Sequence, residues 1–525
     1  VARRGVTMLL LLLLGLGARP NPFLPSNSYY VNPTFARNVE SLVASSASML
    51  GEERRKELEL LRGTPTAIWL DSKSAVASFA DVMASSSAQS DPAAVVVVLY
   101  NLPNRDCSAR ASAGEICCHR SLEGSCDMSR AGGCDEGLGE YEWDFIRPFT
   151  ALVRRYHTVP IVAILEPDSL ANLVTNSATM SSCGSNATKS AYVEGIKRAI
   201  TMLDTEAPHV AVYLDAGHGG WLGWDSVAKD FASQLCGMGL TEGIHGFATN
   251  IANYNPVGYP CPAAAFVGDD ENPAHFCNWI AKDSLCCTAS GPCGEELLRT
   301  YSSGLAELVY AQTLSRYFRQ ACSFDPHFVI DTSRSGNPLA RGPEECHQWC
   351  NLREATAGPQ PTIATGLDIV DAFFWIKTPG ESDGCSEYLP GDLGRCPRFD
   401  AACGSNASLG SRSYEMEARA PEAGQWFPAF MLSLIREGSS DAGLLRGSIL
   451  PPPSPPPATE VDVRAVAVSS SVALILGIAC GAGLALLTMH RWYRPMPSMS
   501  AVDESDRKAQ QALAGSEEGD GLRDE

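Results

Sequence analysis

Basic residues are scarce in this chain of 525 residues. Lys and Arg number 40 against 60 Asp and Glu, a formal net charge of −20. Binding a phosphate backbone needs a basic surface, so this balance argues against a nucleic-acid partner. Several catalytic signatures are missing as well. Neither "GHGG" (217–220) nor "ESDGCSEY" (381–388) forms the G-x-S-x-G elbow of a serine hydrolase. No phosphate loop or dinucleotide glycine fingerprint is present. The cysteines of "CCHRSLEGSCDMSRAGGC" (117–134) fit no standard zinc spacing. His218 and His347 stand alone and read as hydrogen-bonding groups. Neither a metal nor a cofactor is expected.

An apolar stretch long enough to cross a bilayer occurs near the C-terminus, over Ala465–Met489, without a charge. Arg491 and Arg494 follow as stop-transfer charges, with Trp492 and Tyr493 at the interface. The shorter run Met8–Leu14, preceded by two arginines, has the pattern of a signal peptide over 1–18. Between them lie a globular unit, 19–447, and a Pro-rich stalk, 448–464, that includes "PPPSPPP". The tail, 490–525, is polar and expected to be disordered and cytoplasmic. This order predicts a single-pass type I protein at the cell surface with an extracellular globular unit. Eighteen of the 19 cysteines precede the span, as suits disulfides in an oxidising compartment. Asn186-Ala-Thr188 and Asn406-Ala-Ser408 are N-glycosylation sequons on the same side.

Within the globular unit, 45% hydrophobic content over the chain supports a large core. Seven apolar runs each end in polar residues: "TAIWLDS" (66), "AVVVVLYNLPNRD" (94), "PIVAILEPDS" (160), "VAVYLDAGH" (210), "GFATNIANYN" (246), "HFVIDTSR" (327) and "DAFFWIKTPGESD" (371). Helix-like segments such as "YVEGIKRAITMLD" (192) and "ELVYAQTLSRYF" (307) alternate with them. The alternation predicts an α/β fold: a distorted, TIM-like barrel of seven parallel strands, stabilised by disulfides, whose chemistry gathers at the C-terminal strand ends. Asp71, Asp106, Asp168, Asp215, Asp331 and Asp383 all fall at or just past such ends. Any one of them alone reads as a cap or turn former. Six on one rim suggest carboxylates that push each other's pKa values apart, the division of labour that glycoside hydrolysis needs. Trp221 and Trp224, in the Gly-rich loop "DAGHGGWLGW", suit stacking on flat sugar faces.

The blocks "YNLPNRDC" (100–107), "LEPDSLANLVTN" (165–176), "YLDAGHGGWLGW" (213–224), "GFATNIANYN" (246–255), "IDTSRSGNP" (330–338), "QWCN" (348–351) and "WIKTPGESDG" (375–384) resemble glycoside hydrolase family 6, in the family's order. That family holds cellobiohydrolases and endoglucanases that cut β-1,4-glucan with inversion. The resemblance implies that Asp168 is the general acid. Asp106 would keep Asp168 protonated and help take the proton from water, with Arg105 orienting Asp106 and Ser112 holding the water. Tyr100 would distort the sugar at the cleavage point, and Asp215 would support the centre. Asp383 matches a carboxylate sometimes proposed as the base, and Glu166 a structural or pKa-setting partner. Trp221, Trp224 and Trp349 would stack on sugar rings; His218, Asn253, Arg334, Lys377 and Glu381 would bind substrate. The same pattern pairs Cys107 with Cys183 and Cys350 with Cys403, leaving cysteines such as 117, 118, 126, 134, 286, 287, 385 and 396 unassigned.

Pro25 stands where many members carry a tryptophan, a Cys-rich insertion follows Asp106, and no separate cellulose-binding module is evident. The long stretch from Asp383 to Trp426 leans toward a roofed tunnel and cellobiohydrolase action. An endo-acting enzyme and a catalytically silent glucan-binding surface protein are the alternatives. A receptor signalling through the short acidic tail has no recognisable domain to support it. The partner implied is β-1,4-glucan, with the membrane reached through the single span.

Overall fold

The computed structural model describes residues 20–435, apart from 25–27, 47–49, 123, 129, 268–271, 289–290, 392 and 412–418. The signal peptide, stalk, membrane span and tail expected from the sequence, and Pro25, lie outside the described residues. No helix among the described residues is long and apolar enough to cross a membrane.

Seven parallel strands form one sheet in sequence order: β1 (Ile68–Leu70), β2 (Val95–Leu99), β3 (Ile161–Leu165), β4 (Val210–Asp215), β5 (Gly246–Thr249), β6 (His327–Asp331) and β7 (Val370–Phe374). Each coincides with one of the seven apolar runs. The sheet curls into a half-barrel. β1 and β7 have no ladder between them among the described residues; Ala67 N–H donates to Trp375 O at 3.0 Å and the Trp69 indole N–H to Ile376 O at 2.8 Å.

The continuous apolar runs follow from burial on both faces. Along β2, Val95, Val97 and Leu99 face outward onto the helices, while Val96 and Val98 face the barrel interior with Ile164, Tyr213, Ala248, Val329 and Phe374. The outer layer is supplied by crossover helices, which parallel strands require. These are α1 (Lys73–Ser87), α2 (Arg147–Arg155), α3 (Asn186–Glu206), α4 (Asp225–Gly237) and α5 (Glu307–Cys322). Between β6 and β7 the chain crosses without a helix. Phe23 plugs the interior, with its ring 5.9 Å from that of Phe374 and 6.4 Å from that of Tyr213.

Nine disulfides are formed among the described residues. Cys107–Cys183 and Cys350–Cys403 are paired as the family pattern implies. The others are 117–126, 118–134, 236–322, 261–286, 277–287, 293–346 and 385–396. Cys261, Cys277, Cys286 and Cys287 have sulfurs within 4.8 Å of one another, but as two disulfides they offer no thiolate to a metal.

Candidate active site

The C-terminal ends of the strands carry the carboxylates, and the backbone there is contorted to present them. Asn104 and Asp106 after β2, Glu166 and Asp168 after β3, and Asn250 and Ala252 after β5 all have positive φ, between 52° and 66° for the β3 and β5 residues and 56° and 58° for the β2 pair. Non-glycine residues hold this conformation only where their surroundings over-determine it, and such positions cluster at functional sites. Here the fixing groups are identifiable. Glu166, fully buried, accepts from the N–H groups of Asn101 and Leu102, both at 3.0 Å, and from Tyr141 Oη–H at 2.7 Å. It therefore holds the loop that begins with Tyr100 and leads to Asp106. Burial pushes its carboxyl up to about 7.

Asp168 and Asp215 are linked directly: Asp215 Oδ2 accepts the backbone N–H of Asp168 at 2.9 Å and that of Gly217 at 3.1 Å. Asp106 accepts a short hydrogen bond from Ser112 Oγ–H. Burial first, then the charges of Asp106 and Asp215, hold the Asp168 carboxyl well above the usual carboxylate range. Burial likewise raises Asp106 to about 6, against the opposing pull of Ser112 and Arg105, and raises Asp215 to about 7. The site thus keeps protonatable carboxyls beside one another at mildly acidic pH.

Arg105 does not hydrogen-bond the Asp106 carboxylate. Its guanidinium donates to the carbonyls of Ser112 (2.9 Å), Asp71 (2.8 Å) and Tyr100 and lies 4.2 Å over the Tyr100 ring. It braces the loop on both sides of Asp106 and acts on the carboxylate through its charge. Tyr100 is buried, edge-on to Trp69 at 5.6 Å.

Asp383 is enclosed. Its Oδ1 pairs with Arg334 Nη1 at 2.6 Å, and its Oδ2 accepts from Tyr254 Oη–H at 2.5 Å and Asn351 N–H at 2.9 Å. Arg334 is itself buried, 4.3 Å over the Tyr254 ring, so it meets Asp383 and not the solvent. Asp331 caps backbone from two neighbouring segments, accepting from Ser333 (3.0 Å), Lys377 (2.9 Å) and Ala252 (3.1 Å). Asp71 is exposed, and only its carbonyl joins the site. Lys377 pairs with Glu381 at 3.2 Å.

Trp221 and Trp224 are half-buried. Their indole N–H groups donate to Thr175 Oγ1 (3.0 Å) and Thr300 Oγ1 (3.2 Å), which fixes each ring. The loop that carries them is glycine-rich because it touches another backbone: a Cβ on Gly304 would sit 1.7 Å from Gly219 O. Glu307, not singled out in the sequence, secures this loop through Gly219 N–H (2.9 Å) and Asn255 Nδ2 (3.0 Å). An acid opening the otherwise apolar first turn of α5 was its one signal. His218 lies 3.2 Å from Asn255 Nδ2, and burial lowers its pKa to about 3, so the ring is neutral. Arg341 joins Asn253 Oδ1 (2.7 Å) and Asn255 Oδ1 (3.0 Å) to the carbonyl of Gln348 (2.9 Å), next to the half-buried Trp349. His347 is exposed.

Two loops meet across the rim. Arg110 N–H donates to Asp400 Oδ2 at 3.0 Å, Arg398 Nη1 reaches Ala113 O at 3.4 Å, and a Cβ on Gly384 would lie 2.9 Å from Ala111 and 2.5 Å from Cys403 Sγ.

The family model described as Glycosyl hydrolases family 6 matches residues 24–438. The chain belongs to this family. Family 6 relatives include the probable 1,4-β-D-glucan cellobiohydrolase C of Aspergillus niger, 32% identical over 427 residues (80% of this chain, 78% of the relative). The 1,4-β-D-glucan cellobiohydrolase C of Emericella nidulans is 32% identical over 432 residues (80% and 79%). Among solved structures, the catalytic core of the cellobiohydrolase Cel6A from Chaetomium thermophilum matches with TM-score 0.58 and 30% identity, covering 79% of this chain and 98% of that one. A Humicola insolens Cel6A variant, in complex with methyl-tetrathio-α-D-cellopentoside, matches with TM-score 0.60 and 27% identity (80% and 98%). The family 6 barrel is thus the frame on which these carboxylates stand, and the chain is a glycoside hydrolase by membership.

The raised carboxyls make stability depend on pH. Asp106, Glu166, Asp215 and Glu307 have folded values of about 6, 7, 7 and 7, above their ordinary 3.8 or 4.5. The fold therefore favours their protonated forms. That contribution is fully present below the ordinary carboxylate values and is lost as pH rises through 6 to 7. Thermal unfolding scans at a fixed rate should show the apparent Tm several degrees higher near pH 4.5 than near pH 7.5. A Tm that rises over that interval would contradict the assignment.

Proposed function

We propose that the protein hydrolyses β-1,4-glucosidic bonds of cellulose or a related β-glucan with inversion, releasing cellobiose from chain ends. The observation that supports this reading is Asp168 at the end of β3, whose carboxyl burial and the charges of Asp106 and Asp215, at the ends of β2 and β4, hold well above the usual carboxylate range. Asp168 donates its proton to the glycosidic oxygen as the bond breaks. Water attacks the anomeric carbon from the opposite face. The proton it sheds passes toward Asp106, whose Ser112 hydroxyl partner helps hold that water. Tyr100 presses the sugar toward the flattened ring of the transition state. Asp215 fixes the backbone of Asp168 and sustains its high pKa by charge. Asp383, with both oxygens engaged by Arg334, Tyr254 and Asn351, anchors the far rim and does not act as the base. Trp221, Trp224 and Trp349 offer stacking faces, and Lys377 and Glu381 bind hydroxyls.

The contacts between residues 110–113 and 384–403 favour a roofed path for a single chain over an open, endo-acting cleft. The sequence supports secretion and a C-terminal membrane anchor, which would place this activity at the cell surface. Product sizes from cellohexaose test the exo reading: cellobiose should dominate from the first time point, whereas cellotriose and cellotetraose in mixed proportion would replace it with endo action. Asp215→Asn tests the acid. It removes a charge that raises the Asp168 pKa, so the alkaline limb of kcat/KM should move to lower pH. An unmoved limb would separate Asp215 from the acid's titration.

A further inference from the structure

Among the described residues, six of the fourteen exposed large hydrophobic residues fall between 259 and 301, in the segment joining β5 to α5. That density is not a loop's ordinary scatter. The segment is cross-linked. Cys261–Cys286 and Cys277–Cys287 staple it internally, and Cys293–Cys346 ties it to the loop bearing Trp349. At its surface stand Trp279, 69% exposed, and Tyr301, 43% exposed, joined by a hydrogen bond from the indole N–H to Tyr301 Oη at 3.3 Å. Tyr301 holds φ +60°, and its carbonyl accepts from the side chain of Asn272 at 3.0 Å. An exposed tyrosine is thus kept in a strained conformation by a buried brace.

The pair continues the loop of sugar-stacking rings. Thr300 and Ser302, on either side of Tyr301, are the two residues that hold Trp224: Thr300 through the indole N–H, Ser302 through a backbone bridge. Ser303 N–H adds a bond to Gly223 O at 2.8 Å. Trp221, Trp224, Tyr301 and Trp279 therefore belong to one braced surface that leads from the rim outward.

We infer that Trp279 and Tyr301 form an outer stacking platform for the polymeric β-glucan on which the site acts, continuous with the Trp221 and Trp224 loop. Flat pyranose C–H faces stack on rigid aromatic rings whose polar edges are already satisfied. The inference rests on the proposed β-glucanase reading, and its test keeps the two apart.

Trp279→Ala and Trp279→Phe would be made in the full chain, alone and with Asp168→Asn to prevent digestion. The expected result is about fivefold weaker partition of the alanine variant onto insoluble cellulose, with most of the loss restored by phenylalanine. kcat/KM on soluble cellotetraose should be unchanged. Equal partition of Trp279→Ala and its parent, with cellotetraose still hydrolysed, would overturn the platform and leave the β-glucanase reading intact. A dimer in sedimentation that Trp279→Ala dissociates, with cellulose partition unaltered, would give the patch to a second copy of the chain and overturn it also. Failure of the unsubstituted protein to hydrolyse cello-oligosaccharides would instead remove the parent reading.

Discussion

Asp168→Asn is expected to lower kcat on cello-oligosaccharides about 10³-fold, within the range for loss of a general acid. Binding should change little. The amide matches the carboxyl in size, and the contact that fixes this residue's backbone, its N–H to Asp215, survives the substitution. Single-turnover rates and calorimetric binding of cellohexaose separate the two quantities. Substrates with a good leaving group should be less affected, because they need no proton to depart. A variant with near-normal kcat would remove Asp168 from the role of acid. Loss of binding equal to the loss of rate would make it a binding group.

The second large effect concerns stability. Arg334 and Asp383 are an ion pair with side-chain exposures of 0% and 5%. Removing one partner of a buried pair strands the other charge, at a cost of about 3–5 kcal/mol. Arg334→Met should therefore lower the unfolding temperature markedly. Asp383→Asn should cost less, since the Tyr254 and Asn351 contacts can persist in part. The double variant should recover much of the loss, because no charge is then stranded. Calorimetric scans of the four proteins measure the coupling. Rates decide the function of Asp383: as an anchor, its asparagine variant should lose kcat only in step with its stability. A fall of two orders of magnitude with an unchanged unfolding temperature would make it the base.

Both predictions turn on carboxylates that look alike in the sequence and differ in what surrounds them. The strands were legible because parallel strands buried on both faces leave unbroken apolar runs, and "VVVV" at 95–98 or "IVAIL" at 161–165 allows few other readings. The placement of acids at strand ends was legible for the same reason. Which acid does what was not. Asp331 and Asp383 differ from Asp168 through partners that arrive from distant segments: Ala252 and Lys377 for one, Tyr254, Arg334 and Asn351 for the other. No local pattern encodes such convergence. Arg105 illustrates the limit from the other side: the family resemblance gave it the orienting of Asp106, and the structure shows its guanidinium donating to three backbone carbonyls, those of Ser112, Asp71 and Tyr100. Glu307 was hidden as one acid at a helix start, where a favourable helix-dipole contact is the ordinary explanation. Of the nine disulfides, two followed from family resemblance. The other seven depend on proximity that spacing alone cannot supply, because many connectivities are open to 18 cysteines.

In the proposed reaction a protonated Asp168 and an attacking water act on opposite faces of the scissile sugar. The measurement that tests it most directly is proton NMR of cellohexaose during its first minutes of hydrolysis, before mutarotation mixes the anomers. Inversion yields cellobiose whose new reducing end is initially α. Products that first appear as the β anomer would require a covalent glycosyl-enzyme and a carboxylate nucleophile, and would contradict it.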